Sequence, residues 1–289
     1  MIVAESVEDV RRGIAAPRAA GRSIALVPTM GALHEGHFSL IAAASARCDF
    51  VVVSIFVNPL QFGPGEDLSA YPRPREVDLA ACEQRGVDVV FYPPAEVMYA
   101  RQCLTAVHVT RLSEPMCGRD RPGHFAGVCT VVAKLLNIVQ PDVAFFGAKD
   151  YQQAAIVRRM VLDLSFPVRI EVCPTVREPD GLAMSSRNAY LTDEQRRQAT
   201  ALIGSLRLGE RMIRTQRPAP SPAAVEAAIR RHLADEAPGG EIDYVQLADP
   251  EELSDVERTD RGVVIALAVR FGRARLIDNI VVDRLPADR

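Results

Sequence analysis

The chain has 289 residues, enough for one large domain or two ordinary ones and for a core that needs no staples. Its hydrophobic fraction of 48% and charged fraction of 25% are those of a globular protein, and no apolar run nears the ~20 residues of a membrane span. The net charge of −3 speaks against a nucleic-acid platform, and Met1–Ser6 lacks the basic start of a signal peptide. Six scattered cysteines without a C-x-x-C read as reduced packing residues, which sets the expectation of a cytoplasmic protein. Thirty-two arginines stand against two lysines, Lys134 and Lys149, so a retained lysine hints at a need for a compact ammonium.

Residues 5–13 read as a short opening helix, and the apolar run 23–27 as a buried parallel strand. Next comes Pro28-Thr29-Met30-Gly31-Ala32-Leu33-His34-Glu35-Gly36-His37, then an apolar helical start at Phe38. This is a strand-to-helix turn, where open α/β sheets hold ligands. Gly31 and Gly36 allow close backbone approach, and the helix start favours an anion such as phosphate. His34 and His37 fall on one face and can each donate to a phosphate oxygen. Read as a metal pair, H-x-x-H lacks the nearby cysteine or carboxylate cluster of a closed site, so no metal ligand is assigned. Glu35 reads as an exposed turn residue.

The β-branched run 49–57 is a second buried strand. It ends at Asn58, which reads equally as a turn cap or a ligand group, and Gln61, a poorer turn residue that points to a polar substrate. A helix over 75–85, a strand over 87–92 and a short strand over 106–109 follow, with His108 a structural strand residue. The polar loop 119–127 reads as a substrate lid leading into a helix over 128–139; Lys134 there reads equally as a solvated charge. A strand over 142–147 runs into Ala148-Lys149-Asp150-Tyr151-Gln152-Gln153 and a helix to about 164. Lys149 at a helix start defies the dipole preference, which marks it for an anionic ligand. Asp150 reads either as a cap or as a ligand for a ribose hydroxyl or a metal, and Gln153 lies one turn beyond it.

After a strand over 168–173 and a hinge-like stretch over 174–181 comes Met184-Ser185-Ser186-Arg187-Asn188, where hydroxyls beside a guanidinium suit a triphosphate. Helices over 193–214 and 223–235 and strands over 244–247, 263–269 and 277–282 then suggest a small α+β domain. The expected fold class is α/β, a Rossmann-like parallel-sheet domain over 1–175 with a smaller α+β domain over 176–289.

Four blocks, P-T-M-G-A-L-H-E-G-H at 28–37, S-I-F-V-N-P-L-Q-F-G at 54–63, F-F-G-A-K-D-Y-Q-Q at 145–153 and M-S-S-R-N at 184–188, stand in the order and spacing of one family. The chain resembles the pantothenate synthetase (pantoate–β-alanine ligase) family of the H-I-G-H nucleotidylyltransferase superfamily. That resemblance implies ATP-dependent joining of (R)-pantoate to β-alanine through a pantoyl adenylate, giving pantothenate, AMP and pyrophosphate. It also implies Mg²⁺ on the ATP phosphates, a homodimer, and a C-terminal domain acting as a cover. By position, Met30, Gly31, Ala32, Leu33, His34, Glu35, Gly36 and His37 would line the ATP site, with His37 as proton donor. Gly147, Ala148, Lys149 and Asp150 would bind ATP, Val176 would meet adenine, and Met184, Ser185, Ser186 and Arg187 would close over the triphosphate. Gln61 and Gln153 would hold pantoate, and Gln61 would also touch β-alanine; His34, His37, Lys149 and Arg187 form the implied catalytic set. Two positions depart from the family pattern: Ala148 stands where Glu is expected, and Phe38 where Leu is usual. Met184-Ser185-Ser186-Arg187 also resembles the M-S-K block of synthetases that charge tRNA, a reading disfavoured by the negative charge and by the lack of a stretch that reads as an anticodon-binding domain. A catalytically silent nucleotide-binding protein is disfavoured by the intact His34, His37, Lys149 and Arg187.

Overall fold

A computed structural model describes residues 1–99 and 103–284. The chain divides into two compact units, one of Met1–Ser113, Arg121–Ala148 and Gln153–Thr175, the other of Glu114–Asp120, Lys149–Gln152 and Val176–Arg289.

In the first unit the strands are β1 (Ile2–Ala4), β2 (Ile24–Thr29), β3 (Phe50–Ile55), β4 (Val89–Phe91), β5 (Val143–Gly147) and β6 (Arg169–Cys173). They form one parallel sheet in the order β1-β4-β3-β2-β5-β6. The order reverses between β2 and β5, so the carboxyl ends of these two strands flank the crevice where such sheets bind ligands. Alternate residues of β2 and β3 point to opposite faces, and both sets are buried. Ala25, Val27, Val51 and Val53 share a core with Leu40, Ile41 and Ala44 of the helix Glu35–Arg47 and with Cys82 of the helix Arg75–Gln84. The helices Val7–Ala19 and His124–Val139 pack on each other, and also approach β1 and β2 respectively. A sheet covered on both faces explains why its strands read as continuous apolar runs.

In the second unit β7 (Glu241–Ala248), β8 (Val263–Phe271) and β9 (Ala274–Val282) form an antiparallel sheet. Leu202, Leu206 and Ile213 of the helix Ala201–Thr215, with Val225, Ile229 and Leu233 of the helix Pro222–Glu236, share its core.

Several sequence expectations are corrected. No strand forms over 106–109, because the Val107 amide donates to the Thr130 hydroxyl (3.0 Å) rather than to a neighbouring strand. β1, an edge strand of three residues with Ile2 and Val3 exposed, is too short to leave a pattern. The helix expected over 193–214 is two, Asp193–Ala199 and Ala201–Thr215, joined at Thr200, whose hydroxyl and amide both turn back to the Arg197 carbonyl. The helix expected from Val128 starts at His124, and a short helix covers Cys117–Asp120, so most of the stretch read as a lid is helical. No helix among the described residues is long and apolar enough to cross a membrane.

One close approach fixes the site side of the first unit. A Cβ built on Gly127 would lie 2.2 Å from the Leu60 carbonyl oxygen, so the helix His124–Val139 and the turn Pro59–Gln61 meet backbone to backbone. Gly127→Ala gains about 1 kcal/mol of helix propensity but must displace that turn, a cost of about 1–3 kcal/mol or more, so clash wins. The variant is expected to unfold several degrees below the parent in a thermal melt; an unchanged or higher midpoint would show that the turn moves freely.

Candidate active site

In the first unit the turn after β2 is shaped by positive φ at Gly31 (82°) and Ala32 (50°). What holds Ala32, a residue with a Cβ, in that region is Asp78 of the helix Arg75–Gln84. Its two oxygens accept the amides of Ala32 (2.9 Å) and Leu33 (2.8 Å), and it is 1% exposed. Burial raises the Asp78 carboxyl above the usual carboxylate range, and the two amide hydrogen bonds offset only part of that rise. These amides are therefore committed to Asp78. A side chain on Gly31 would meet Asp78 Oδ2 and Ile55 Cγ2 at 3.0 Å, so the position has no room for one.

The turn then feeds the helix Glu35–Arg47, with His34 as its cap. The Gly36 amide donates to His34 Nδ1 (3.1 Å), and the His34 amide donates to His37 Nδ1 (3.3 Å). Both Nδ1 atoms are acceptors, so in each neutral ring the hydrogen sits on Nε2. The rings lie 4.1 Å apart, centroid to centroid. Two Nε2–H groups from one helical turn make a donor pair suited to an anion. Glu35 is exposed and lies 4.0 Å from Arg85, whose guanidinium stacks 3.4 Å above the Phe38 ring. That stacking accounts for an aromatic residue at position 38.

Gln61 is 9% exposed. Its Oε1 accepts from Asn58 Nδ2 (3.1 Å) and its Nε2 lies 2.8 Å from Met30 Sδ. Asn58 Nδ2 also donates to the Gly127 carbonyl (3.0 Å), while Asn58 Oδ1 accepts from the Tyr99 hydroxyl (2.8 Å) and the Leu60 amide (3.2 Å). Asn58 is thus both cap and support, and the amide of Gln61 is held in one orientation. Gly147 and Ala148 end β5 half-buried, and Gln153 is half-buried on the helix Tyr151–Asp163. Lys134 Nζ lies 5.9 Å from the Tyr99 ring centroid.

In the second unit Lys149 and Asp150 occupy a tight turn before that helix, with Nζ and Oδ2 3.7 Å apart. The Lys149 carbonyl accepts from Asn279 Nδ2 of β9 (2.8 Å). The neighbouring Asp278 takes the Arg177 guanidinium as a fork (2.7 and 2.9 Å). Arg177 pairs with Ala183 across a short hairpin, which brings the Met184 amide onto the Val176 carbonyl (3.0 Å). Ser185 then caps the turn Ser186–Tyr190 through the Arg187 amide (3.2 Å), and Asn188 ties that turn to Glu178 (2.9 Å). Val176, Met184, Ser185, Ser186 and Arg187 so form one assembly. Gln152, next to Gln153, is buried and structural, bonded to the Pro115 carbonyl and the Cys117 amide.

Sequence reasoning missed Asp78, Tyr99, Asp278 and Asn279. Asp78 had one signal: it shares the apolar stripe of its helix with Cys82, an acid where a hydrophobe belongs.

A doubly wound α/β unit with a paired-histidine turn at the carboxyl end of a central strand defines the class: a Rossmann-like protein whose candidate site lies at that turn. Residues 2–281 match the family model described as pantoate-beta-alanine ligase. The pantothenate synthetase of Thermotoga neapolitana is 50% identical over 283 residues, covering 98% of this chain and all of that one. That of Moorella thermoacetica is 51% identical over 287 residues, 98% of this chain and 99% of its own. Among solved structures, pantothenate synthetase from Thermus thermophilus superposes with a TM-score of 0.91 at 44% identity, covering 98% of this chain and 100% of that one. The pantoate-beta-alanine ligase from Francisella tularensis, complexed with beta-gamma ATP and beta-alanine, gives 0.79 at 33% identity, with 97% of each chain covered. The chain belongs to the pantoate–β-alanine ligase family, and is a ligase of pantothenate biosynthesis.

Two expectations follow. Asp78→Asn has one acceptor oxygen where two amides need pairing, and its NH₂ would face an N–H. It should lose about 1–3 kcal/mol in denaturant unfolding, the cost of an unpaired buried donor; undiminished stability would remove Asp78 as the holder of the turn. Burial alone would raise Glu66, but the Arg121 fork and charge overturn that and hold it at about 2. A lowered carboxylate stabilises the fold above its unfolded value near 4.5 and loses that contribution as pH falls towards 2. The stability gap between the parent and Glu66→Gln should therefore close between pH 5 and about 2; a gap independent of pH would contradict this.

Proposed function

We propose that the chain joins pantoate to β-alanine through an enzyme-bound pantoyl adenylate. In the first step a pantoate carboxylate oxygen attacks the α-phosphorus of ATP and the bond to pyrophosphate breaks. In the second the β-alanine amine attacks the acyl carbon, loses a proton, and AMP leaves. Neither step needs a protein nucleophile, because the adenylate is itself the activated species.

The observation that carries this reading is the paired Nε2–H donors of His34 and His37, fixed by main-chain amides onto Nδ1. Negative charge grows on phosphate oxygens in the first step, and preorganised donors there lower the barrier. His37 is assigned as the proton donor, with His34, Lys149 and Arg187 completing the stabilising set. Around them Met30, Gly31, Ala32, Leu33, Glu35, Gly36, Gly147, Ala148 and Asp150 would line ATP. Because the Ala32 and Leu33 amides are committed to Asp78, those two residues contribute shape rather than donors. Val176 is assigned to adenine, and Met184, Ser185, Ser186 and Arg187 to the triphosphate. Gln61 and Gln153 would hold pantoate, and Gln61 would also meet β-alanine. The second step then rests on positioning. Mg²⁺ bound on the ATP phosphates would offset their charge, and Asp150, beside Lys149, would lie near the ribose. Residues 1–175 would serve as the ATP and pantoate domain and 176–289 as a cover. A homodimer and a cytoplasmic setting complete the reading, carried by the family resemblance.

The test is pyrophosphate release from MgATP with pantoate, with and without β-alanine. Sustained release should require both acids, and His37→Ala should lower turnover by roughly 10²-fold or more, the scale for losing a transition-state donor. Release supported by another carboxylate but not by pantoate would overturn the substrate, and near-normal turnover of the variant would remove His37 from the chemistry.

A further inference from the structure

We infer that His124, backed by Arg121 and Glu66, is a positioning residue that holds Gln61 in place for pantoate, an inference that rests on the reading of Gln61 as a pantoate ligand. The stretch Arg121-Pro122-Gly123-His124-Phe125-Ala126-Gly127 is a socket for the Gln61 turn. His124 and Gly127 lie one helical turn apart at the start of the helix His124–Val139 and meet the same turn, Pro59–Gln61. Gly127 admits the Leu60 carbonyl against bare backbone. His124 Nδ1 lies 2.7 Å from the Gln61 carbonyl oxygen, and Arg121 Nη2 donates to the same oxygen at 3.2 Å.

The tautomer of His124 is decided by its neighbours. Arg121 Nη1 lies 3.1 Å from His124 Nε2, and a guanidinium only donates, so Nε2 accepts. The hydrogen is then on Nδ1, where the Gln61 carbonyl receives it. Arg121 is itself fixed by a two-point fork onto Glu66, Nε to Oε1 at 2.7 Å and Nη2 to Oε2 at 2.6 Å. Glu66 thus orients Arg121, Arg121 sets the histidine proton, and that proton anchors the Gln61 main chain. From the other side Asn58 and Met30 hold the Gln61 amide. With Oε1 occupied by Asn58, what Gln61 presents to a substrate is an N–H, the partner for a hydroxyl or carboxylate oxygen.

Replacement by Asn and by Gln separates the two ring nitrogens. Asn carries an amide nitrogen at the Nδ1 position, and Gln carries one near the Nε2 position. His124→Asn should keep the pantoate KM within about twofold of the parent. His124→Gln and His124→Ala should raise it roughly five- to twentyfold, the worth of one lost buried hydrogen bond, with kcat and the ATP KM nearly unmoved. Thermal melts on all three report folding separately, so the Asn–Gln contrast stands even if the alanine variant is unstable. Gln61→Ala is the control. If it leaves the pantoate KM unchanged, the reading of Gln61 fails, and the role of His124 with it. If Gln61→Ala raises that KM while His124→Gln does not, or if Asn and Gln at 124 are equally impaired, the positioning role alone is overturned.

Discussion

The carboxylate of Asp78 reaches across from the helix Arg75–Gln84 and takes the amides of Ala32 and Leu33, and the paired-histidine turn depends on that grip. A parallel strand that hands over directly to a helix must reverse quickly, and here the reversal passes through two successive residues with positive φ, of which only one is glycine. Ala32 would leave that region unless its amide gained something there. Asp78 supplies the gain for both amides with one side chain, and the helix that follows then caps itself with its own histidines. The acceptor role of each Nδ1 is thereby set by the main chain, and the rings are oriented by these two amide hydrogen bonds. A site whose donors are set this way needs little rearrangement when charge develops nearby.

The second unit uses the same device with different residues. Adjacent side chains of β9 serve two segments at once: buried Asp278 clamps Arg177 of the short hairpin, and Asn279 holds the main chain at Lys149. The antiparallel sheet thus ties down two segments, of which the hairpin is also held by hydrogen bonds of its own. The turn at Ala32 in one unit, and the turns at Lys149 and Arg177 in the other, are each tied to a regular element by a buried carboxylate or amide.

The strands of the first unit were legible because a sheet covered on both faces demands nearly continuous apolar runs, and 23–27, 49–57 and 142–147 have them. The histidine turn was legible because glycines and histidines cluster between such a strand and an amphipathic helix. Asp78 was not, since its partners lie more than forty residues away and a single acid in a helix ordinarily faces water. The stretch 119–127 read as a loop because its Pro and Gly hide a helix start at His124, whose partners on the Gln61 turn no local pattern shows. Residues 106–109 alternate as a strand does, but the hydroxyl of Thr130 claims the Val107 amide.

The six thiols are all free, and five of them are buried. Burial drives Cys82 and Cys129 up to about 11, and raises Cys48 and Cys173 in the same direction. Thiolate is the reactive form, so at neutral pH these side chains are shielded twice, by access and by protonation. Cys103 alone stands in solvent. A maleimide dye or spin label offered to the untouched chain therefore has one natural point of attachment, on the segment that precedes the Gln61 socket in sequence, without any cysteine having to be removed first.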